Sequence, residues 1–569
     1  MNRDNSALKH VLANIDLART NVASDRNTGI VVLVSGDEVS CDYWQRRLER
    51  TAYRVFNSGG GTVILSLQEK QDGKARTGNF LGTLLAYSRM KSAMGKIGVD
   101  YRNSVALMGM IFGRGERMSP FTQIEGNCKP AIAGAAANFD INGTKTPISE
   151  IEESLMFFSP VAKYLEARGF RGVLDKWGDE TEIAAIDLGA VPDKGESLNA
   201  HDIIKFVSVF KITETLARSR DWVVHDGENN MLDQAARGEK EVLITRLKKL
   251  GIKPRTGKDA EEYYAGVSLG PVAVSYDVLD IAAEIFAEDI KRPGVCLDFD
   301  PYLLKAFAMR GDQAKWKTAL KNDPALMILA GPDGMIPDLF DKARAVRESF
   351  KKKHGRELNL KTIDLGKDIF WMDIGQHDRL REKYMSLNAR NEHGVIARKL
   401  EGIPDAPDGD GNIIINSAIS HGISVKDSVI INSRAEGQGR IERSVIKDSF
   451  FRDIDMRDAF AVLSRRTGKT VLKKNSGIYR SIGSVFDTLV LEDGMRSGTL
   501  LTSYGPIDMR VSEHTDLGDR DNTYCAPIFG NKISFREAYD EMSGISFDEL
   551  ERRRKNLLAK VEGMDEGEW

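Results

Sequence analysis

The chain has 569 residues, 41% of them hydrophobic and 29% charged, too many for one ordinary core, so two to four domains are expected. Basic and acidic residues nearly cancel to a net charge of -3, which argues against nucleic acid as a partner. No apolar run approaches the length of a membrane span, and Met1-Asn-Arg-Asp-Asn-Ser6 lacks the apolar stretch of a secretory signal. Cys41, Cys128, Cys296 and Cys525 are scattered without CxxC spacing, so neither a zinc site nor a disulfide framework is indicated, and a cytoplasmic protein is expected.

Residues 1–100 read as a mixed α/β extension, with a helix at 6–17, strands at 29–35 and 62–67, and a helix at 82–94. The cluster Gly59-Gly-Gly61 reads as a loop needing free backbone torsions. From 101 to 403 strand-like runs (105–112, 183–188, 222–224, 267–274, 369–372) alternate with helical stretches (159–168, 202–218, 277–287). This alternation predicts an α/β sandwich around a mostly parallel sheet, with ligands at the carboxyl ends of the strands. The turn-rich run Pro404-Asp-Ala-Pro-Asp-Gly-Asp-Gly-Asn412 marks a boundary. Beyond it, β-branched triplets begin at Ser417, Ser428, Ser444 and Asp458, spaced by 11, 16 and 14. They predict stacked β coils within 404–510, with Ile419, Val429, Val445 and Phe460 inward. Residues 511–569 read as a charged, partly helical tail.

The strand at Val105–Phe112 delivers Gly113-Arg-Gly-Glu-Arg-Met-Ser-Pro-Phe-Thr122, with Lys129-Pro130 after it. Glycines let backbone N–H groups close on an anion, and Arg117 adds a fork of donors matched to phosphate oxygens. A dinucleotide fingerprint is excluded because Met118 holds the place of its third glycine, with Pro120 close behind. A P-loop at Gly468-Lys469-Thr470 is excluded by Leu463 at its first position.

These residues resemble the opening signature of sugar nucleotidyltransferases, roughly G-x-G-T-R-(L/M)-x-P-x-T, a spacer, then P-K-P. Gly113, Gly115, Arg117, Met118, Pro120, Thr122, Lys129 and Pro130 carry the resemblance. Glu116 replaces the usual Thr or Ser, and the spacer is about two residues longer. Phe370-Trp-Met-Asp-Ile-Gly-Gln-His377 resembles the family's late W-x-D-x-G segment, whose Asp holds a metal. Gly172-Val-Leu-Asp-Lys-Trp-Gly-Asp179 resembles the strand-end Gly-Asp that supplies the other ligand. Gly78-Asn-Phe-Leu-Gly-Thr83 resembles the base-contacting G-x-x-L-G-T-A segment, which in the family follows the glycine loop and here precedes it. Val267–Ser275 resembles a sugar-facing segment but lacks its Asn.

The resemblance implies a Rossmann-like nucleotide-diphospho-sugar transferase sandwich with a left-handed β-helix appended. It implies coupling of an NTP and a sugar 1-phosphate to an NDP-sugar and pyrophosphate. A phosphomonoester is already mostly ionised at pH 7, so no strong general base is needed, and positioning with charge neutralisation carries the catalysis. In these roles Gly113, Gly115, Glu116 and Met118 form the nucleotide loop, Arg117 clamps the β/γ-phosphates, and Lys129 bridges the α-phosphate and its attacker. Asp179 and Asp373 hold Mg²⁺, Lys211 on the expected helix is a lesser candidate for the sugar phosphate, and Asp298 and Asp300 stand in reserve as ligands. Self-association would use the β coils or the tail. Three alternatives remain. One is a regulatory protein of the same fold with weak turnover. Another is a bifunctional enzyme whose coils transfer an acyl group through His421. The third is a glycosyltransferase using a D-x-D pair such as Asp298/Asp300.

Overall fold

The computed structural model describes residues 6–562, apart from 24–28, 56–61, 70–76, 112, 114, 142–143, 191–196, 257–260, 405 and 518–519. Gly59–Gly61 therefore lies outside the described residues. Mixed and parallel sheets with flanking helices make the chain an α/β protein. Among the described residues no helix is long and apolar enough to cross a membrane.

In chain order the first part runs α1 (Ser6–Ala23), β1 (Ile30–Ser35), α2 (Glu38–Val55), β2 (Val63–Gln68), α3 (Gly78–Ile97) and β3 (Val105–Met110). Then come α4 (Phe121–Ile124), the hairpin β4 (Ala133–Ile141) and β5 (Thr144–Ser149), α5 (Glu150–Ala167), β6 (Gly172–Trp177) and β7 (Glu180–Ile183). β8 (Ile203–Lys211), β9 (Trp222–His225) and β10 (Met231–Ala235) lead to the long strand Tyr264–Ser275 and later to Leu360–Asp364 and Phe370–Asp373.

A nine-stranded sheet organises this half. β2, β1, β3 and β6 lie side by side and parallel. Tyr264–Ser275 runs antiparallel to β6, and β8 runs antiparallel to it in turn, so β8 points the same way as β6. Every residue of β1 and of β3 is buried, as expected of central strands covered on both faces. The first hundred residues are therefore no appended extension, because β1 and β2 supply one flank of this sheet. The segment boundary expected at residue 100 passes between two adjacent strands of it. One shared core joins Val11, Val31 and Leu33 with Val105, Leu107 and Leu174.

Two expected elements are corrected. The helix at 202–218 is the strand β8, followed by a single short helix, Glu214–Ser219. Ile203-Ile-Lys-Phe-Val-Ser-Val-Phe210 is a run of β-branched and aromatic residues, and its first six positions are all buried. An amphipathic helix would have left one face of it in water. The strand at 183–188 ends at Ile183. Beyond it the carbonyls of Ala184 and Ile186 accept from the Asn14 side chain at 2.8 and 2.7 Å, so α1 replaces a strand partner.

From Ile413 to Thr502 the chain climbs through successive turns that build three ladders, Phe450–Arg457 and Arg465–Leu472 each being one longer strand that serves two of them. Ile413, Val429, Val445, Phe460 and Gly477 stack in one parallel ladder, and Ala418, Arg434, Phe450, Arg465 and Ile482 in a second. A third joins Ile423, Gly439, Ile454, Thr470 and Leu489 through registers of the same kind. The triplet at Ser417 belongs to the second ladder and those at Ser428, Ser444 and Asp458 to the first, which explains the uneven first spacing. The inward set is corrected: Val429, Val445 and Phe460 are fully buried but face the core shared with the α/β half, as Phe460 does against Tyr384, whereas Ile430, Ile446 and Ala461 fill the coil interior and the half-buried Ile419 packs against them.

Serine hydroxyls bind the corners together. Ser417 accepts from the Ser433 N–H at 3.0 Å, Ser433 from Ser449 at 3.2 Å, Ser449 from Ser464 at 3.0 Å and Ser464 from Ser481 at 3.1 Å. Each link spans 15 to 17 residues. Every such N–H is a corner donor without a ladder partner, and a buried orphan donor would be costly. Ser449→Ala, which also removes the bond its hydroxyl donates to the Lys447 carbonyl, is expected to cost about 1–3 kcal/mol in urea unfolding. An unchanged midpoint would show that the corner serines carry no load.

Candidate functional site

The parallel strands end on one edge, and the chemistry-bearing segments collect there. β3 delivers Gly113–Arg117, β6 delivers Gly178–Asp179, β8 ends at Lys211, and α3 begins after β2. The Gly78–Thr83 segment thus reaches the same edge as the glycine loop although it precedes that loop in sequence.

Gly113 and Gly115 both have positive φ, 118° and 59°. At Gly115 any side chain is also excluded by contact, since a Cβ would lie 2.7 Å from Thr122 Oγ1 and 3.0 Å from Lys129 Cβ. Thr122 uses that closeness to donate to the Gly115 carbonyl at 2.9 Å. The loop therefore packs directly against the turn Lys129–Ala131. Arg117 is exposed and Glu116 half-buried. Met118 is fully buried in the core, so its side chain anchors the loop from below and does not line the open edge.

Lys129 forms an ion pair with Asp179, with both side chains largely buried. Burial works to raise the Asp179 pKa, but Lys129, with help from Arg117, holds it below the ordinary carboxylate value. Asp373 is adjacent: its strand pairs with β7, placing it opposite Glu180, and the Ile374 N–H donates to the Asp179 carbonyl at 3.1 Å. Burial and the Asp179 charge push the Asp373 pKa up, while the Gly375 N–H donates to its carboxylate at 2.6 Å. The four charged residues singled out in sequence, Arg117, Lys129, Asp179 and Asp373, therefore meet at one place.

The site also contains groups the motifs did not indicate. Glu180 carries a carboxyl pushed far up by burial and by the charges of Glu182, Asp179 and Asp373, and its Oε2 is buried without a hydrogen-bond partner. Arg220 stacks over Trp371 with its guanidinium carbon 4.3 Å from the ring centroid. Trp371 is the tryptophan of the W-x-D-x-G segment, whereas Arg220 sits just past a short helix and is brought in only by the fold.

Other candidates are engaged in contacts within the chain. Lys211 is exposed at the end of β8 and pairs with Glu262 at 2.6 Å. Asp298 accepts from the Asn79 N–H at 2.6 Å and so caps α3, and Asp300 pairs with the fully buried Lys205. Both serve the chain itself. His421 is exposed on the first coil, on a separate sheet.

Among the described residues no group of three or more His, Cys, Asp or Glu is arranged to hold a metal ion. Asp179 and Asp373 alone would suit Mg²⁺, which commonly binds through one or two carboxylates and completes its shell with water and substrate phosphate. No family model matches this chain, and no curated protein matches it.

The Lys129–Asp179 pair makes a signed pH prediction. Since the native Asp179 pKa is depressed, its contribution is fully present above the unfolded carboxyl range. It is lost as pH falls from about 4 towards the native value. The stability gap between wild type and Asp179→Asn should narrow when urea unfolding is compared at pH about 6 and about 3. A gap independent of pH would contradict the pairing.

Proposed function

We propose that this protein is a sugar-1-phosphate nucleotidyltransferase, joining an NTP to a sugar 1-phosphate with release of pyrophosphate. The observation that carries the proposal is the meeting of Arg117, Lys129, Asp179 and Asp373 beside the carboxyl edge of the nine-stranded sheet, with Asp373 carried there by the separate two-stranded sheet of β7 and Phe370–Asp373. Those residues come from three segments far apart in sequence. On this reading the nine-stranded sheet is a Rossmann-like nucleotide-diphospho-sugar transferase sandwich. The stacked coils, with ladder partners 15 to 19 residues apart, are an appended β-helix.

The reaction brings two polyanions together, so the residues must supply positive charge and fixed geometry. Backbone N–H groups of the Gly113–Gly115 turn would receive the triphosphate, and the exposed Arg117 would clamp the leaving pyrophosphate. The Lys129 ammonium already faces a carboxylate, and phosphate oxygens at the α-phosphorus would share it. Asp179 and Asp373 would hold Mg²⁺, which supplies neutralisation of phosphate charge when bound. The α3 segment Gly78–Thr83 is buried beneath Leu297 and Asp298, so no base contact is assigned to it. A supply of NTP fits a cytoplasmic protein.

The test is pyrophosphate release with Mg²⁺, screening the four NTPs against a panel of sugar 1-phosphates. Arg117→Ala and Lys129→Ala should each lower turnover about a hundredfold or more, since one preorganised contact to developing charge is worth roughly 3–4 kcal/mol. His421→Ala should leave turnover unchanged. Equal rates for wild type and Arg117→Ala would refute the loop's catalytic role. NTP binding without release from any pair would favour the regulatory alternative.

A further inference from the structure

Lys129 lies on a loop whose two ends meet at one side chain from the distant coils. The Tyr479 hydroxyl, fully buried on the coil strand Gly477–Tyr479, donates to the Glu125 carboxylate and accepts from the Ala133 N–H at 3.0 Å. Glu125 directly follows α4 and Ala133 opens β4, so Lys129 sits at the crown of a loop closed by a single oxygen. Phe121, on α4, packs against the same tyrosine with ring centroids 5.2 Å apart.

Glu125 is buried, and a buried carboxylate is costly unless it is paired. Its counter-charges come from the far end of the chain. Arg480 binds it directly, and Arg554 of the C-terminal helix lies 3.8 Å from its other oxygen. Arg554 also donates to the Ile124 carbonyl at 3.1 Å. On the other side of α4, Thr122 ties the segment to the glycine loop. Burial beside Glu125 pushes the Tyr479 pKa up, so the phenol remains a donor.

We propose that Tyr479 is a positioning residue for the nucleotidyl transfer inferred above. Its hydroxyl holds loop 125–133 closed so that Lys129 faces Asp179, which makes turnover at the sheet edge depend on the C-terminal coils. The hydroxyl touches no reacting atom. Without it the loop loses a group that bonds both of its ends, and Lys129 is held less firmly against Asp179.

The test uses full-length Tyr479→Phe, which keeps the ring in place and removes only the hydroxyl, and Glu125→Gln as a second variant. Each is expected to lower kcat about tenfold or more while KM for either substrate stays within about twofold. The double variant should lose less than the product of the two single losses, because the two residues share one contact. Hydrogen–deuterium exchange should rise over 119–133 and stay unchanged over the coil strands between 429 and 472. This second readout needs no activity. If wild type releases no pyrophosphate from any pair, the reaction proposed above fails, while exchange still judges the brace. Unchanged exchange over 119–133, protection lost evenly along the chain, or full kcat in Tyr479→Phe with an active wild type would each overturn the proposal.

Discussion

A lysine and an aspartate fifty residues apart meet at the end of two parallel strands, and the rest of the site is organised around that pair. Asp179 and Asp373 are like charges at neighbouring positions in a largely desolvated place. Without a cation beside them at least one would be driven to protonate. Lys129 resolves the conflict on the Asp179 side, and Asp373 is left with the raised pKa. On the proposed reading the pair has a directional consequence, since an ammonium already fixed at a carboxylate would be preorganised to meet phosphate oxygens. The sheet makes the meeting possible by ending β3 and β6 side by side in parallel register.

Chain order and spatial order part company in this fold. The glycine loop follows the third strand of the chain, while the flanking strands β1 and β2, with α3, come earlier. Read linearly, the first hundred residues therefore resemble an extension, and Gly78–Thr83 stands on the wrong side of the loop. Pairing removes the difficulty, because β1 pairs with both β2 and β3. Short-range sequence patterns announced most of these strands and helices, yet no local pattern states which strand lies beside which.

The same distinction explains which site residues were legible. Arg117, Lys129, Asp179 and Asp373 stand in compact motifs whose glycines and spacing carry a backbone requirement, as Gly115 does through its contact with Thr122 and Lys129. Met118 belongs to the same motif but faces the core, because a one-dimensional pattern does not say which way a side chain points. Arg220 reaches the site through tertiary placement alone, whereas Glu180 directly follows the motif's Asp179. Lys211 and β8 were misread for a different reason. A continuous apolar run cannot be told from a buried helix by periodicity, and its β-branched composition was the better guide. The coils were legible as repeats but not in register, since the turns build three ladders and two of these carry similar triplets.

The central claim, that the two strand-end aspartates and a nucleoside triphosphate share one divalent ion, is tested most directly by Mn²⁺ binding. Electron paramagnetic resonance titration of the full chain with the NTP that supports turnover should show one tightly held Mn²⁺ that depends on nucleotide. Asp179→Asn combined with Asp373→Asn should abolish it while the chain remains folded. Undiminished nucleotide-dependent Mn²⁺ binding in that double variant would contradict the account.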